Sequence, residues 1–323
     1  MEMRIAGYPL AAAALALVLS TTGSTPARER PPALPTAAPA QERAGGTCHT
    51  STDATDATEA TKATKATKEK RPCTRSPRQR YAQRVVTIDI VAGFTARAAR
   101  EAGGERTLRA RIRQAVTSTS KAFAASAVHA RLRLTGITRA KVPARLDRSD
   151  GALLKAVARR GDGVADHLPR LRDRVGADLV TVVTGSQGPA GLANRPRRVT
   201  ARTSGHAYSV VAQKALAHHS LAHEIGHNLG AMHDYVTAPR GANSARGYFP
   251  ASGKWSTLEA YESSCRKATG GPCRRINRYS NPRQTYRGER LGRPLGQPKP
   301  ADSVRAFNAV VRVVADYRRR GSR

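Results

Sequence analysis

Acidic residues are scarce in this 323-residue chain, with 23 Asp and Glu against 56 Lys and Arg for a formal net charge of +33. Aromatics are scarcer still at 4%. Base-stacking platforms need aromatic rings, and no motif that reads RNA or DNA is present, so a specific nucleic-acid reader is excluded. What the charge does predict is salt-sensitive, non-specific adhesion to polyanions, or simply an Arg-rich solvated surface. After the first 19 residues no stretch of ~18 apolar residues occurs, so no transmembrane segment is expected in the mature chain. Only four cysteines are available, enough for two bridges at most.

What is there begins with a leader pattern. Arg4 precedes the apolar run AAAALALVL, and small residues between Ser20 and Ala27 offer cleavage sites. Residues 1–27 read as a secretory signal peptide, which predicts a secreted, extracellular protein. Residues 28–80 are rich in Pro, Ala and Thr and contain DATDATEATKATKATK, a triplet repeat with almost nothing to bury. A period of three matches neither helix nor strand amphipathicity, so this is read as a disordered spacer. An oxidising compartment favours disulfides. Four cysteines allow three pairings; the local one, Cys265–Cys273 with Cys48–Cys73, is chosen.

From about residue 81 to 323 the texture is globular. RVVTIDIVAGF (84–94), ARLRLTGI (130–137) and GADLVTVVTG (176–185) read as strands, the second half-exposed because Leu and Arg alternate. Leu108, Ile112, Val116 and Phe123 recur near helical spacing, and residues 150–174 carry a helical pattern broken at Gly161 and Gly163. A glycine- and arginine-rich loop with a short edge strand fills 186–206, a helix spans 213–229, and Val304, Phe307, Val311 and Val314 mark a last helix. Strands separated by helices predict an α/β fold.

Chemistry concentrates in AHEIGHNLGAMHD (222–234). His223 and His227 stand at i, i+4, so a helix places both imidazoles on one face within reach of a zinc ion at roughly 2.0–2.1 Å. Glu224 is rotated about 100° from the first histidine, the placement of a general base over a water. Gly230 permits a left-handed residue that ends the helix, and His233 then folds back as third ligand. Shuffling this composition yields HExxHxxGxxHD about once in a million chains. His219 extends the i, i+4 series. On a straight helix it would lie ~12 Å along the axis from His227, too far to share one ion, and it is read as a packed or supporting histidine.

The extended motif resembles the metzincin metallopeptidases, and Asp234 resembles their reprolysin (adamalysin) branch. TIDIVAGFTARAARE, GADLV and RINRYSNP are also similar to bacterial reprolysin-like secreted peptidases. The resemblance implies a twisted mixed sheet, an active-site helix beneath it, and an irregular C-terminal subdomain. It implies one zinc per chain held by His223, His227 and His233, Glu224 as base, Asp234 as a buried structural acceptor, and protein or peptide substrates. One departure stands out. The group carries a methionine turn beneath the metal, whereas here WSTLEAY (255–261) puts Glu259 in that place, and the chain's three methionines are Met1, Met3 and Met232. The expected arrangement has Leu258 filling the apolar floor and Glu259 turned to solvent. The other possibilities are a Glu259 carboxylate accepting from a ligand imidazole, and a buried, unpaired, ionised carboxylate, the costliest of the three. A zinc-dependent endopeptidase is therefore expected, with a zinc-binding pseudopeptidase acting through its basic surface as the alternative.

Overall fold

The computed structural model describes residues 85–318, apart from 149, 186–187, 189 and 242. The leader, the 28–80 spacer and the Cys48–Cys73 pairing lie outside the described residues. Strand β1 (Val86–Phe94) leads through α1 (Ala96–Glu101) into the long helix α2 (Glu105–Ser126), followed by β2 (Ala130–Arg139). Helices α3 (Asp150–Ala158) and α4 (His167–Val175) precede β3 (Leu179–Thr184), β4 (Gly191–Ala193) and β5 (Tyr208–Ala212). The five strands form one sheet in the order β2-β1-β3-β5-β4, parallel except for the antiparallel edge strand β4.

Alternation along the strands explains the layers. Ile88, Ile90, Ala92 and Phe94 of β1 point to one face and pack with Leu108, Ile112, Val116 and Phe123 of α2. Val91, Val180, Val182 and Val210 point to the other, against Leu153, Leu154, Val157 and Leu168 of α3 and α4. Central β1 and β3 are almost wholly buried, while β2 buries alternate residues only at its start, as an edge strand does. This is the expected α/β architecture with a mixed sheet.

After β5 the chain departs from the expected continuous helix over 213–229. Gln213–His218 forms a 3₁₀ segment, His219 adopts a left-handed φ of 61°, and only then does α5 run from Ser220 to Asn228. The straight-helix offset from His219 to His227 therefore does not apply. His219 instead turns its Nδ1 to Ser118 Oγ on α2, 3.2 Å away. Beyond α5 the elements are short: β6 (Trp255–Ser256), α6 (Glu262–Thr269), β7 (Arg274–Arg275), β8 (Asn281–Tyr286) and β9 (Glu289–Leu291). Helix α7 (Ser303–Ala315) closes the chain by burying Val304, Phe307, Val311 and Val314 against the β1 face, the four positions marked by their spacing. Cys265 and Cys273 are disulfide-bonded, Cα–Cα 5.8 Å, and staple α6 to β7.

Candidate metal centre

Helix α5 is buried nearly all round because it runs beneath the sheet's edge. Leu221, Ala222 and Ile225 enter the core, and Asn228 Nδ2 donates to the carbonyls of Asn194, His206 and Tyr208 on the β4–β5 side. From below, the Tyr279 hydroxyl donates to Ala222 O at 2.6 Å. Gly230 takes φ 94°, as an L side chain would resist, and the chain turns back at once. Asn243 Nδ2 donates to its carbonyl, which fixes the turn.

That turn brings His233 to His223 and His227. The three Nε2 atoms lie 3.1, 3.0 and 3.3 Å apart. His223 Nδ1 donates to Leu258 O at 2.7 Å and His227 Nδ1 to Ala231 O at 2.9 Å. With those protons on Nδ1, the Nε2 atoms of both rings present lone pairs to each other across 3.1 Å. Two facing lone pairs repel, so the cluster is built for a cation. Burial depresses the pKa of His223 well below 6.5, and also that of His227; His233 is lowered to about 4, by burial and then by His227. All three rings are thus kept neutral near pH 7, the form that ligates metal. A tetrahedral ion with ~2.0–2.1 Å bonds has edges of about 3.3–3.4 Å, so the observed triangle fits zinc with small relaxation.

Glu224 sits on the same helix, 2% exposed, with Oε2 unpartnered among the described residues. Burial raises its pKa well above the usual carboxylate value, and nearby Arg275 opposes that rise. Gly191 of β4 makes the room: a Cβ there would lie 2.9 Å from Glu224 Cδ. The edge strand therefore passes directly over the carboxyl.

Asp234, 2% exposed, accepts from Val236 N and Thr237 N through Oδ1, and from Thr237 Oγ1 and Tyr261 N through Oδ2. It ties the segment after His233 to the segment after the floor turn. Arg246, fully buried over the Tyr235 ring, donates to the carbonyls of Asn243, Ala238, Arg240 and Gly241 and clamps the same loop. Nothing in the sequence pattern marked Arg246; Tyr261, whose ring lies 4.3 Å from that of His233, ends the WSTLEAY segment but was given no role there.

Leu258 is fully buried and supplies the floor, as expected. Glu259 is not turned to solvent. It is 1% exposed, and its Oε2 lies 3.7 and 3.6 Å from Nδ1 of His223 and His227. Those Nδ1 protons go to backbone carbonyls, so the carboxyl accepts neither, and both its oxygens lack a hydrogen-bond partner among the described residues. The physical reason is the tight turn in which Ala260 N donates to Thr257 O, which aims residues 258 and 259 inward together. Burial, reinforced by Glu224, drives the Glu259 pKa well above 4.5 and so favours the neutral acid there.

Residues 83–286 match the metallo-peptidase family M12B, reprolysin-like. The chain is 30% identical over 260 residues to a peptidyl-Asp metalloendopeptidase of Pseudomonas aeruginosa, covering 72% of this chain and 40% of that protein. It is 31% identical over 163 residues to the peptidyl-Asp metalloendopeptidase of Stenotrophomonas maltophilia, covering 49% and 36%. The chain thus spans less than half the length of these relatives. Among solved structures, a chain in a chaperone–substrate complex shares the fold at a TM-score of 0.54 and 20% identity, over 73% of this chain and 40% of that one. With a family match over most of the described domain, this chain belongs to the M12B reprolysin-like metallo-peptidases.

Proposed function

We propose that the protein is a secreted zinc-dependent endopeptidase that cuts peptides beside aspartate. The observation that carries this is the convergence of three Nε2 atoms beside a cavity that His223 and Glu224 line under the edge strand. His223, His227 and His233 would hold the ion, with Leu258 O and Ala231 O fixing two of the rings from behind. When bound, zinc supplies Lewis acidity that polarises a carbonyl and lowers the pKa of a water toward ~7. Among the described residues β4 is paired along one edge, with β5, and its other edge can pair with an extended substrate. Glu224 takes the proton of the attacking water at Oε2 and returns it to the leaving amine. Aspartate as the substrate residue rests on the names of the relatives. Secretion rests on the leader pattern and on the Cys265–Cys273 bridge.

The test is metal analysis of the purified chain with a mixed peptide library and a Glu224→Gln control. One zinc per chain and cleavage near neutral pH are expected, abolished by chelation and restored by zinc. Glu224→Gln should keep the metal and lose roughly 10²–10⁴-fold in turnover. An unchanged rate removes Glu224 as base. The buried Glu259 favours one second reading, a zinc-binding pseudopeptidase. Zinc without cleavage in the wild type, with activity appearing in Glu259→Met, would establish it; the peptidase predicts rates within about tenfold of each other.

A further inference from the structure

A cavity of about 350 Å³ opens beside the centre, lined by Gly191 of the edge strand, Ser220, His223 and Glu224 of α5, Tyr261, and Arg275 of β7. Arg275 is held from several sides. Its residue pairs with Ser256 of β6, its backbone N–H donates to Glu262 Oε1 at 2.9 Å, and the Cys265–Cys273 bridge ends two residues before it. Its guanidinium is poorly satisfied. Nη2 reaches Ala260 O at 3.4 Å, Nε is buried without a partner, and no ion pair within 4.0 Å joins it to any carboxylate among the described residues. The cavity's second acid besides Glu224, Glu262, spends Oε1 on the Arg275 backbone, and its Oε2 lies 4.0 Å from Arg266. Arg275 still acts on the centre, since its charge opposes protonation of His223 and favours ionisation of Glu224.

A half-buried guanidinium with free donors, not ion-paired to the carboxyl that shares its cavity, can receive an anion from outside. We infer that Arg275 binds the side-chain carboxylate of an acidic substrate residue in this cavity and so determines which peptide bond is presented to Glu224. Arg supplies this better than Lys would, because its planar fork meets a carboxylate through two parallel hydrogen bonds. An aspartate side chain is short, and the cavity is bounded by Glu224 itself, so the residue that is read lies next to the scissile bond. The inference rests on the peptidase reading for its setting, while its own content is a binding preference.

Binding and cleavage are therefore measured separately. In the zinc-loaded full chain carrying Glu224→Gln, calorimetry compares two matched peptides that differ only by Asp or Asn at one position. A preference for Asp of about 10–100-fold is expected, the size of a charge-assisted pair. Adding Arg275→Gln, which keeps an N–H donor for Ala260 O, should bring the ratio within about threefold of unity. Arg275→Lys should give an intermediate ratio and serves if the Gln variant does not fold; zinc content reports an intact site in each. A ratio unchanged by both substitutions, or no preference at all, overturns the assignment. An Arg275-dependent preference in a chain whose Glu224 form cuts nothing keeps this assignment and removes the peptidase reading. Cleavage beside Asp that is indifferent to Arg275 does the reverse.

Discussion

Gly226 lies on α5 between His223 and His227, and the Glu259 carboxyl is packed against its Cα. A Cβ built on Gly226 would collide with Glu259 Oε1, lie 2.8 Å from Cδ, and come within 3.1 Å of Tyr279 Cε1. Gly226→Ala must therefore displace Glu259. Tyr279 cannot recede, being stacked on Phe123, edge-on to Phe307 and bonded through its hydroxyl to Ala222 O. Alanine gains about 1 kcal/mol of helix propensity, and overpacking costs about 1–3 kcal/mol. Because the overlap is with a side chain that has nowhere to go, the upper end applies, leaving a net loss of about 2 kcal/mol. In a Glu259→Ala background the carboxyl is gone and only the tight Tyr279 contact remains, so the same substitution should be neutral or stabilising by up to ~1 kcal/mol. The expected coupling is about 2–3 kcal/mol, within the range for contacting residues. Urea denaturation of the chelated wild type, both single variants and the double variant at pH 7 measures it. Additivity within ~0.5 kcal/mol would refute the contact and with it the buried position of Glu259.

Replacing Cys265 and Cys273 by alanine should cost about 2–3 kcal/mol in the chain-entropy model, or roughly 4–12 °C in melting temperature for a domain of this size; non-reducing peptide mapping that joins either cysteine to Cys48 or Cys73 would reject the bridge. Asp178 gives a pH test away from the centre. Burial raises its folded pKa from 3.8 to about 7, so its contribution is fully present below pH 4 and is lost as pH rises toward 7. Asp178→Asn should accordingly lose less stability than wild type between pH 4 and 7 in denaturant titrations, and parallel curves would contradict the shift.

The strands and helices that were legible are those whose side chains answer to one periodic constraint. Strands β1 and β3 read as continuous apolar runs because both their faces are covered, and α2 and α7 show their buried stripe at helical spacing. Strand β5 was missed because YSVVA is only five residues long and abuts the 3₁₀ segment without a glycine or proline between them. The break at His219 was equally silent, since a histidine rather than a glycine takes the left-handed conformation there. In the centre, the positions of His223, Glu224, His227 and His233 follow from short covalent spacing plus one glycine turn. A thirteen-residue window therefore contained their geometry.

The floor and the cavity obey no such local rule, and this is where the sequence-based expectation failed. Glu259 was placed in solvent because an ionised carboxylate is too costly to bury unpaired. That argument holds for the ionised form only. A neutral acid pays the smaller cost of two unsatisfied oxygens, and Gly226, thirty-three residues earlier, leaves the space that makes it sterically possible. The glycine inside HEIGH was visible, but without the turn at 257–260 nothing said what would fill the gap beside it. Arg275 is the converse case. In a chain with 56 Lys and Arg, one more arginine carries no signal. It becomes distinctive only when β6, β7 and the disulfide set it beside Glu224, with no ion pair within 4.0 Å to any carboxylate among the described residues. An arginine left unpaired in such a place is explained if its carboxylate arrives with the substrate.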